Sequence, residues 1–170
     1  MVRESPTYTI VWLYGTQGYG KSYLLAVLAC YLAAQDEPIV YIADCRRLLE
    51  NPVQYLRATM LFAWADDIAT QEIIMTLNTL EEITTFFQSE KVLFIIDQMS
   101  ALKIDGLREK KKREDLSKRI KTFTYGHKKV YSSSANNADY HKQAQHQNQN
   151  RMMLVYGGLT EVSHRKIMSQ

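Results

Sequence analysis

Tyr8-Thr-Ile-Val-Trp-Leu-Tyr14, followed at once by Gly15-Thr-Gln-Gly-Tyr-Gly-Lys21-Ser22, is the stretch that decides the fold. The first part is a continuous apolar, β-branched and aromatic run. It predicts a strand buried on both faces, as found in the middle of a parallel sheet. The second part matches G-x-x-x-x-G-K-[ST] in full. Behind it Ser22–Gln35 carries Leu24, Leu25, Leu28, Ala29 and Leu32 at helical spacing. Strand, glycine-rich turn and helix together form the context in which this pattern binds phosphate.

Each residue type has a physical reason. Gly15, Gly18 and Gly20 let the backbone curl so that successive N–H groups point at an anion. The helix N-terminus adds its partial positive charge. Lys21 is a compact cation for the β- and γ-phosphates, and the Ser22 hydroxyl suits a magnesium shell. The expected nucleotide-binding residues are therefore Gly15, Thr16, Gln17, Gly18, Tyr19, Gly20, Lys21, Ser22 and Tyr23, holding ATP or GTP with Mg2+.

Further along the chain, Ile39–Ala43 predicts a second extended segment, and Asn51-Pro52 an N-cap and first turn of a helix to about Asp66. Ile73, Ile74, Leu77 and Leu80 suggest another helix, and Thr79 with Glu82 forms a capping box ahead of Ile83, Phe86 and Phe87. Lys91–Ile96 is the other long buried strand, and Gly106–Thr122 a polar, basic helix. Val130–Ser134 and Met152–Tyr156 are short strands. Between them Asn136–Asn150 lacks periodicity and predicts a flexible loop; Gly157-Gly158 then turns the chain towards a helix capped by Thr160. Strands alternating with helices predict an α/β fold, one domain over residues 1–170, with a mostly parallel five-stranded sheet.

A carboxylate at the tip of a second buried strand is the expected partner of the phosphate loop. Asp97, directly after Lys-Val-Leu-Phe-Ile-Ile, is the candidate magnesium ligand together with Ser22; capping of the following helix is the alternative reading. Gln98 stands where many related ATPases carry a glutamate. An amide orients water but takes no proton, so slow or partner-dependent hydrolysis is expected. Asn136, beyond Ser132, Ser133 and Ser134, is a candidate γ-phosphate sensor or else an ordinary turn residue.

Composition excludes several classes. At 170 residues, 46% hydrophobic and 23% charged, the chain suits a soluble globular domain, and no apolar run reaches the ~18 residues of a membrane span. Cys30 and Cys45 have no metal or disulfide spacing, and Cys30 is expected to be a buried thiol in the first helix. His141 and His146 are expected to be solvent residues, and the tryptophans and tyrosines to be packing groups. A net charge of +3 hides an asymmetry: Lys103–Lys129 is +7 and the remainder −4. Lys110-Lys-Lys-Arg113 is thus a nuclear-targeting or phosphate-binding stripe, or a solvated helix face. No Asn-Lys-x-Asp guanine-reading motif is present, which favours ATP, and no Leu-Ser-Gly-Gly-Gln signature, which excludes a transporter ATPase subunit.

Several blocks in order resemble the NTPase region of Crinkler-type effector proteins, a family related to retrotransposon hot spot proteins. They are GTQGYGKSYLLAVLA, VYIADCRRLLENPVQYL, LFIIDQMSAL, SSSANN and YGGLTE, with Tyr41, Asp44, Cys45 and Arg46, and the Asp97-Gln98 pair, as the most telling residues. The resemblance implies a three-layer P-loop domain of additional-strand order, with the Asp97 strand separated from the P-loop strand by the Val130 strand. It also implies a secreted effector directed to a host nucleus, with a host nuclear protein or nucleic acid as partner. Separately, self-association could bring a partner subunit's arginine to a site that lacks such charge stabilisation of its own. Arg151 and Arg165 are the candidate arginines. As the chain stands, the expectation is a truncated copy or an isolated NTPase module, soluble and intracellular.

Overall fold

The computed structural model describes residues 10–15, 20–103, 110–134 and 150–155. In chain order these form β1 (Ile10–Gly15), α1 (Lys21–Ala33), β2 (Ile39–Ile42), α2 (Cys45–Glu50), α3 (Pro52–Ala63), α4 (Ile68–Thr76), α5 (Leu80–Ser89) and β3 (Leu93–Ile96). A 3-10 turn (Met99–Lys103), α6 (Lys110–Phe123), β4 (Lys128–Ser134) and β5 (Asn150–Leu154) complete them. The strands form one parallel sheet in the order β2-β3-β4-β1-β5. β4 therefore lies between β1 and β3, so the strand of Asp97 and the strand of the phosphate motif are not neighbours.

Side chains alternate across the sheet, as a period of two requires. On one face Trp12, Val40, Ile42, Phe94, Ile96 and Tyr131 pack under α2, α3, α4, α5 and α6. On the other, Leu13, Ile39, Ile95 and Val130 pack under α1 through Leu25 and Ala29. The result is a three-layer α/β arrangement. Phe87, Phe94 and Phe123 lock α5, β3 and α6 together, with ring centroids 5.0–5.7 Å apart. Truncating any of the three to alanine would cost about 3–5 kcal/mol.

Local signals account for several boundaries. The capping box at α5 is present: Thr79 Oγ1 accepts from Glu82 N at 3.2 Å, and Glu82 Oε2 accepts from Thr79 N at 3.0 Å. Asn51 caps α3 with Pro52 in its first turn.

Elsewhere the structure departs from the expectation. α3 stops at Ala63 instead of Asp66, because Asp67 turns to cap α4, accepting from Thr70 N; α4 in turn starts at Ile68, well before Ile73. α2 was not anticipated at all. It holds only six residues, too few to show a period, and is started by Asp44, which accepts from Arg46 N at 2.9 Å.

Cys30 is exposed, contrary to the expected buried thiol, whereas Cys45 is buried. The cause is that α1 is apolar around its whole circumference while only its Leu25–Ala29 side meets the sheet. For the same reason Tyr23 and Tyr31 face outward, and Tyr125 sits exposed in the turn before β4, so these three are not packing groups. The expected loop, glycine turn and closing helix fall largely outside the described residues. Among the described residues no helix is long and apolar enough to cross a membrane.

Candidate functional site

The carboxyl ends of β1, β3 and β4 converge at one edge of the sheet, where open α/β folds bind ligands. Register brings the key residues side by side. Ile96 pairs with Tyr131 and Leu13 with Ser132, so Asp97 lies across from Ser132, with Gly15 two residues further along β1 opposite Ser134.

β1 ends at Gly15, whose φ of +149° and surroundings both demand glycine. A Cβ there would stand 2.7 Å from the Val155 carbonyl oxygen. Val155 N also donates to Tyr14 O at 2.8 Å, so β1 and the end of β5 are drawn together at this point. Gly20 takes the left-handed conformation (φ 78°) and is the N-cap of α1. Among the described residues no side chain caps that end of α1, and no acidic residue stands in its first turn, so nothing there offsets the positive character of the N-terminal amides. Thr16, Gln17, Gly18 and Tyr19 lie outside the described residues, as does Asn136. Tyr23, at the second turn position, points outward at 73% exposure.

Lys21 is buried for a lysine, at 9% exposure, and its Nζ donates to the Gly15 carbonyl at 2.8 Å. Burial lowers its pKa, and the Asp97 carboxylate works in the opposite direction. The cation at the head of α1 and the anion at the tip of β3 thus sense each other across β4. Ser22, beside Lys21, keeps its side chain exposed.

Asp97 is almost fully buried, at 1% exposure. Its Oδ1 accepts from the Ser132 hydroxyl and, at 2.7 Å, from Gln98 N. Its backbone carbonyl accepts from Cys45 Sγ at 3.1 Å, and its N–H donates to Ile42 O at 2.8 Å. Its second oxygen, Oδ2, is buried without a hydrogen-bond partner among the described residues. A buried carboxylate oxygen left unpaired costs about 1–3 kcal/mol or more, a cost that a water or an ion bound there would offset. No helix-capping bond from Asp97 to the following turn is present; its one backbone donor is the adjacent Gln98 N.

Gln98 adopts φ +57°, a left-handed conformation that costs a non-glycine residue about 1–2 kcal/mol. The turn swings its N–H back to both Asp97 Oδ1 and Ser132 Oγ, the latter at 3.1 Å. Strain here is stored where it fixes the carboxylate.

Two contributors were not found from the sequence. Ser132 was grouped with its neighbours as possible company for Asn136, whereas its hydroxyl serves Asp97. Cys45 was noted only as part of a block, whereas its thiol, whose pKa burial pushes up strongly, ties the start of α2 to the Asp97 backbone. Tyr55 completes that tie, its hydroxyl accepting from Asp44 N at 3.1 Å. Strand register, which decides that Ser132 meets Asp97, has no local signature.

Among the described residues no group of three His, Cys, Asp or Glu side chains comes together to hold a metal by protein ligands alone. The donor set fits magnesium in its other mode, with one carboxylate and a hydroxyl from protein and the remaining positions filled by water and phosphate. Asp97 Oδ2 and Ser22 Oγ are the atoms that could serve as those two donors.

The exposed lysines of α6, Lys110 to Lys112, Lys118 and Lys121, face solvent. The arginines of that helix are used internally: Arg113 donates to the Ala101 carbonyl, and Arg119 bridges Glu81 at 2.6 Å and Asp115 at 3.0 Å. His141, His146 and Arg165 lie outside the described residues, and Arg151 is described by its backbone in β5 alone. A scan against protein-family models finds none that matches this chain, and a search of curated proteins finds no match either.

Proposed function

We propose that this chain is a P-loop NTPase domain of additional-strand order that binds ATP with magnesium and turns it over slowly. The observation that carries the reading is Asp97: fully buried, fixed through Oδ1 by Ser132 and Gln98, and with Oδ2 unsatisfied at the sheet edge shared with Gly15 and Lys21. The G-x-x-x-x-G-K-[ST] match, an uncapped α1 and the buried Lys21 support it from the other side of β4.

In this reading the amides at the start of α1 hold phosphate oxygens and Lys21 leaves Gly15 O to pair with the terminal phosphates. Ser22 Oγ and Asp97 Oδ2 hold magnesium, which when bound neutralises charge developing on the phosphates. Gln98 orients water without accepting its proton, so hydrolysis is slow or awaits a group from a partner. The sequence blocks also favour the role of a Crinkler-type effector NTPase module, with a host nuclear protein as its partner.

A second reading, a nucleic-acid-binding surface on α6, draws on its solvent-facing lysines, yet the internal use of Arg113 and Arg119 leaves that surface fewer cations than the run suggests. A salt-sensitive mobility shift surviving Lys21→Ala would favour it. The primary test is phosphate release from Mg–ATP by the purified chain, beside Lys21→Ala and Asp97→Ala, over a protein concentration series. Turnover abolished by both substitutions supports the proposal. ATP binding with no release at any concentration replaces it with a nucleotide-gated interaction module, and absence of binding rejects the nucleotide site.

A further inference from the structure

The opposite end of β2 holds a pocket that the nucleotide reading does not use. It has a volume of about 460 Å3, within the ~300–1,000 Å3 typical of ligand sites, and lies between the ends of α1 and α3. Tyr41, Phe62 and Trp64 supply its aromatic walls, and Asp36, Glu37 and Asp66 its rim. Phe62 is 68% exposed although it borders a cavity that would shelter it. Among the described residues none of the three rim carboxylates forms an ion pair.

The walls are preorganised. Gln71 Nε2 donates to the carbonyls of Trp64 and Ala65 at 2.9 and 2.6 Å, holding the α3–α4 connection, and Trp64 packs edge-on against Phe86 at 5.2 Å. Asp67, which also borders the pocket, is committed to capping α4.

β2 is the outer strand of the sheet. Its ladder with β3 uses Pro38 O and Ile42 O, which accept from Leu93 N and Asp97 N. Alternation along a parallel strand then directs the N–H and C=O of Ile39 and Tyr41 away from β3, towards the pocket they line. A strand at the edge of the sheet, bordering an aromatic cavity with a carboxylate rim, is an arrangement that captures an extended peptide by strand addition.

We propose that this edge binds an extended basic peptide of another protein, which pairs with Ile39 and Tyr41 while an arginine inserts between Trp64 and Phe62. Arginine suits the site because its stem is apolar, its guanidinium stacks on aromatic faces, and its charge meets Asp36, Glu37 and Asp66. Charge complementarity is local: the chain carries +3 overall, so undirected attraction would favour an acidic peptide instead.

The test is calorimetric titration of the whole chain with a synthetic peptide of alternating valine and arginine, beside its valine–glutamate counterpart. A copy N-methylated at alternate residues and free arginine amide complete the set. The expected result is binding of the basic peptide alone, with Trp64 emission changing on saturation and Trp64→Phe removing that change. Asp36→Asn, Glu37→Gln and Asp66→Asn combined should weaken it about tenfold, as three partly exposed charge pairs would. Their melting curve checks folding; asparagine tolerates the left-handed φ of 57° at Asp36.

Equal binding of the acidic peptide, or an unchanged affinity in the triple variant, would overturn the proposal. Undiminished binding of the N-methylated copy would overturn strand addition, and arginine amide binding as tightly as the peptide would reduce the site to a small-cation pocket. Self-association of the chain that the triple variant abolishes would replace the foreign peptide with a second copy of this chain.

Discussion

Replacing Ser132 by alanine removes one hydroxyl from a site that is 2% exposed, and its consequence can be worked through from the contacts. The hydroxyl donates to Asp97 Oδ1 and accepts from Gln98 N. Gln98 N keeps its 2.7 Å bond to Oδ1, so the carboxylate loses one of two donors and is not stripped. A hydrogen bond to a charged acceptor contributes about 1.5–3 kcal/mol, and the retained amide offsets part of its loss; a net fall of about 2 kcal/mol is expected. For a domain of this size that lowers Tm by about 4–8 °C.

The functional effect is separate, because a partner that orients a metal-binding carboxylate typically changes metal affinity by about 10–100-fold. Titration with a fluorescent ATP analogue, with and without magnesium, should show the Mg-dependent part of affinity falling by about tenfold or more while Mg-independent binding holds. Ser132→Thr, which keeps the hydroxyl and adds a methyl to a tight site, should restore the magnesium dependence while costing about 1 kcal/mol of stability. A Ser132→Ala protein that loses stability but keeps its full magnesium dependence would refute the reasoning. The bond would then be a clip between β3 and β4, and Asp97 would hold no metal.

Four further outcomes follow from the structure. Gln98→Glu places a proton acceptor where the amide stands and should raise phosphate release by about 10²-fold, the lower end of general-base contributions; Gln98→Gly, measured by urea denaturation, should stabilise by about 1 kcal/mol through relief of the φ of +57°. Gly15→Ala forces a Cβ to 2.7 Å from Val155 O at a disfavoured φ, so thermal melts should show a loss of about 2–4 kcal/mol, concentrated at the β1–β5 contact. His127, stacked edge-on against Phe94 at 5.3 Å, has its pKa lowered from the ordinary 6.5, first by burial and then by Lys129. Its folded form binds fewer protons than the unfolded chain, so stability should fall as pH drops through 6.5 towards the folded-state pKa. His127→Gln should flatten that slope in urea melts between about pH 5 and about pH 8.

The sheet was legible in the sequence because its middle strands are buried on both faces. Val-Trp-Leu at 11–13 and Phe-Ile-Ile at 94–96 leave no polar residue to face water, and a parallel α/β sheet is the architecture that covers both sides. Capping was legible for the opposite reason, being local: Thr79 and Glu82 need no tertiary information to find each other. The exposed side of α1 was not legible. A helix apolar on every side carries no indication of which face meets the sheet, and so Cys30 was misplaced along with Tyr23 and Tyr31. Asp97 could be picked out as the residue ending a buried strand, but what holds it could not, since Cys45 and Ser132 reach it from two distant segments and Gln98 only through a left-handed turn.

That convergence gives a physical account of why separate sequence blocks stand out together. Asp44 starts α2 through Arg46 N, and starting α2 there places Cys45 under the end of β3, where its thiol meets the Asp97 carbonyl. The left-handed turn at Gln98 bends the chain immediately after that point, and only such a bend returns its N–H to Asp97 Oδ1 and to the Ser132 hydroxyl arriving on β4. The backbone of Asp97 is thus held from the β2 side and its Oδ1 from the β4 side, which leaves one oxygen with no protein partner. Two distant segments and a strained neighbouring residue are committed to holding a single aspartate. A residue that merely ended a strand would need none of them, and a residue serving only packing would be cheaper as an apolar one. In the proposed reading the arrangement is a preorganised ligand, and a hard cation accompanied by phosphate is the partner that the chemistry of a fixed carboxylate suits.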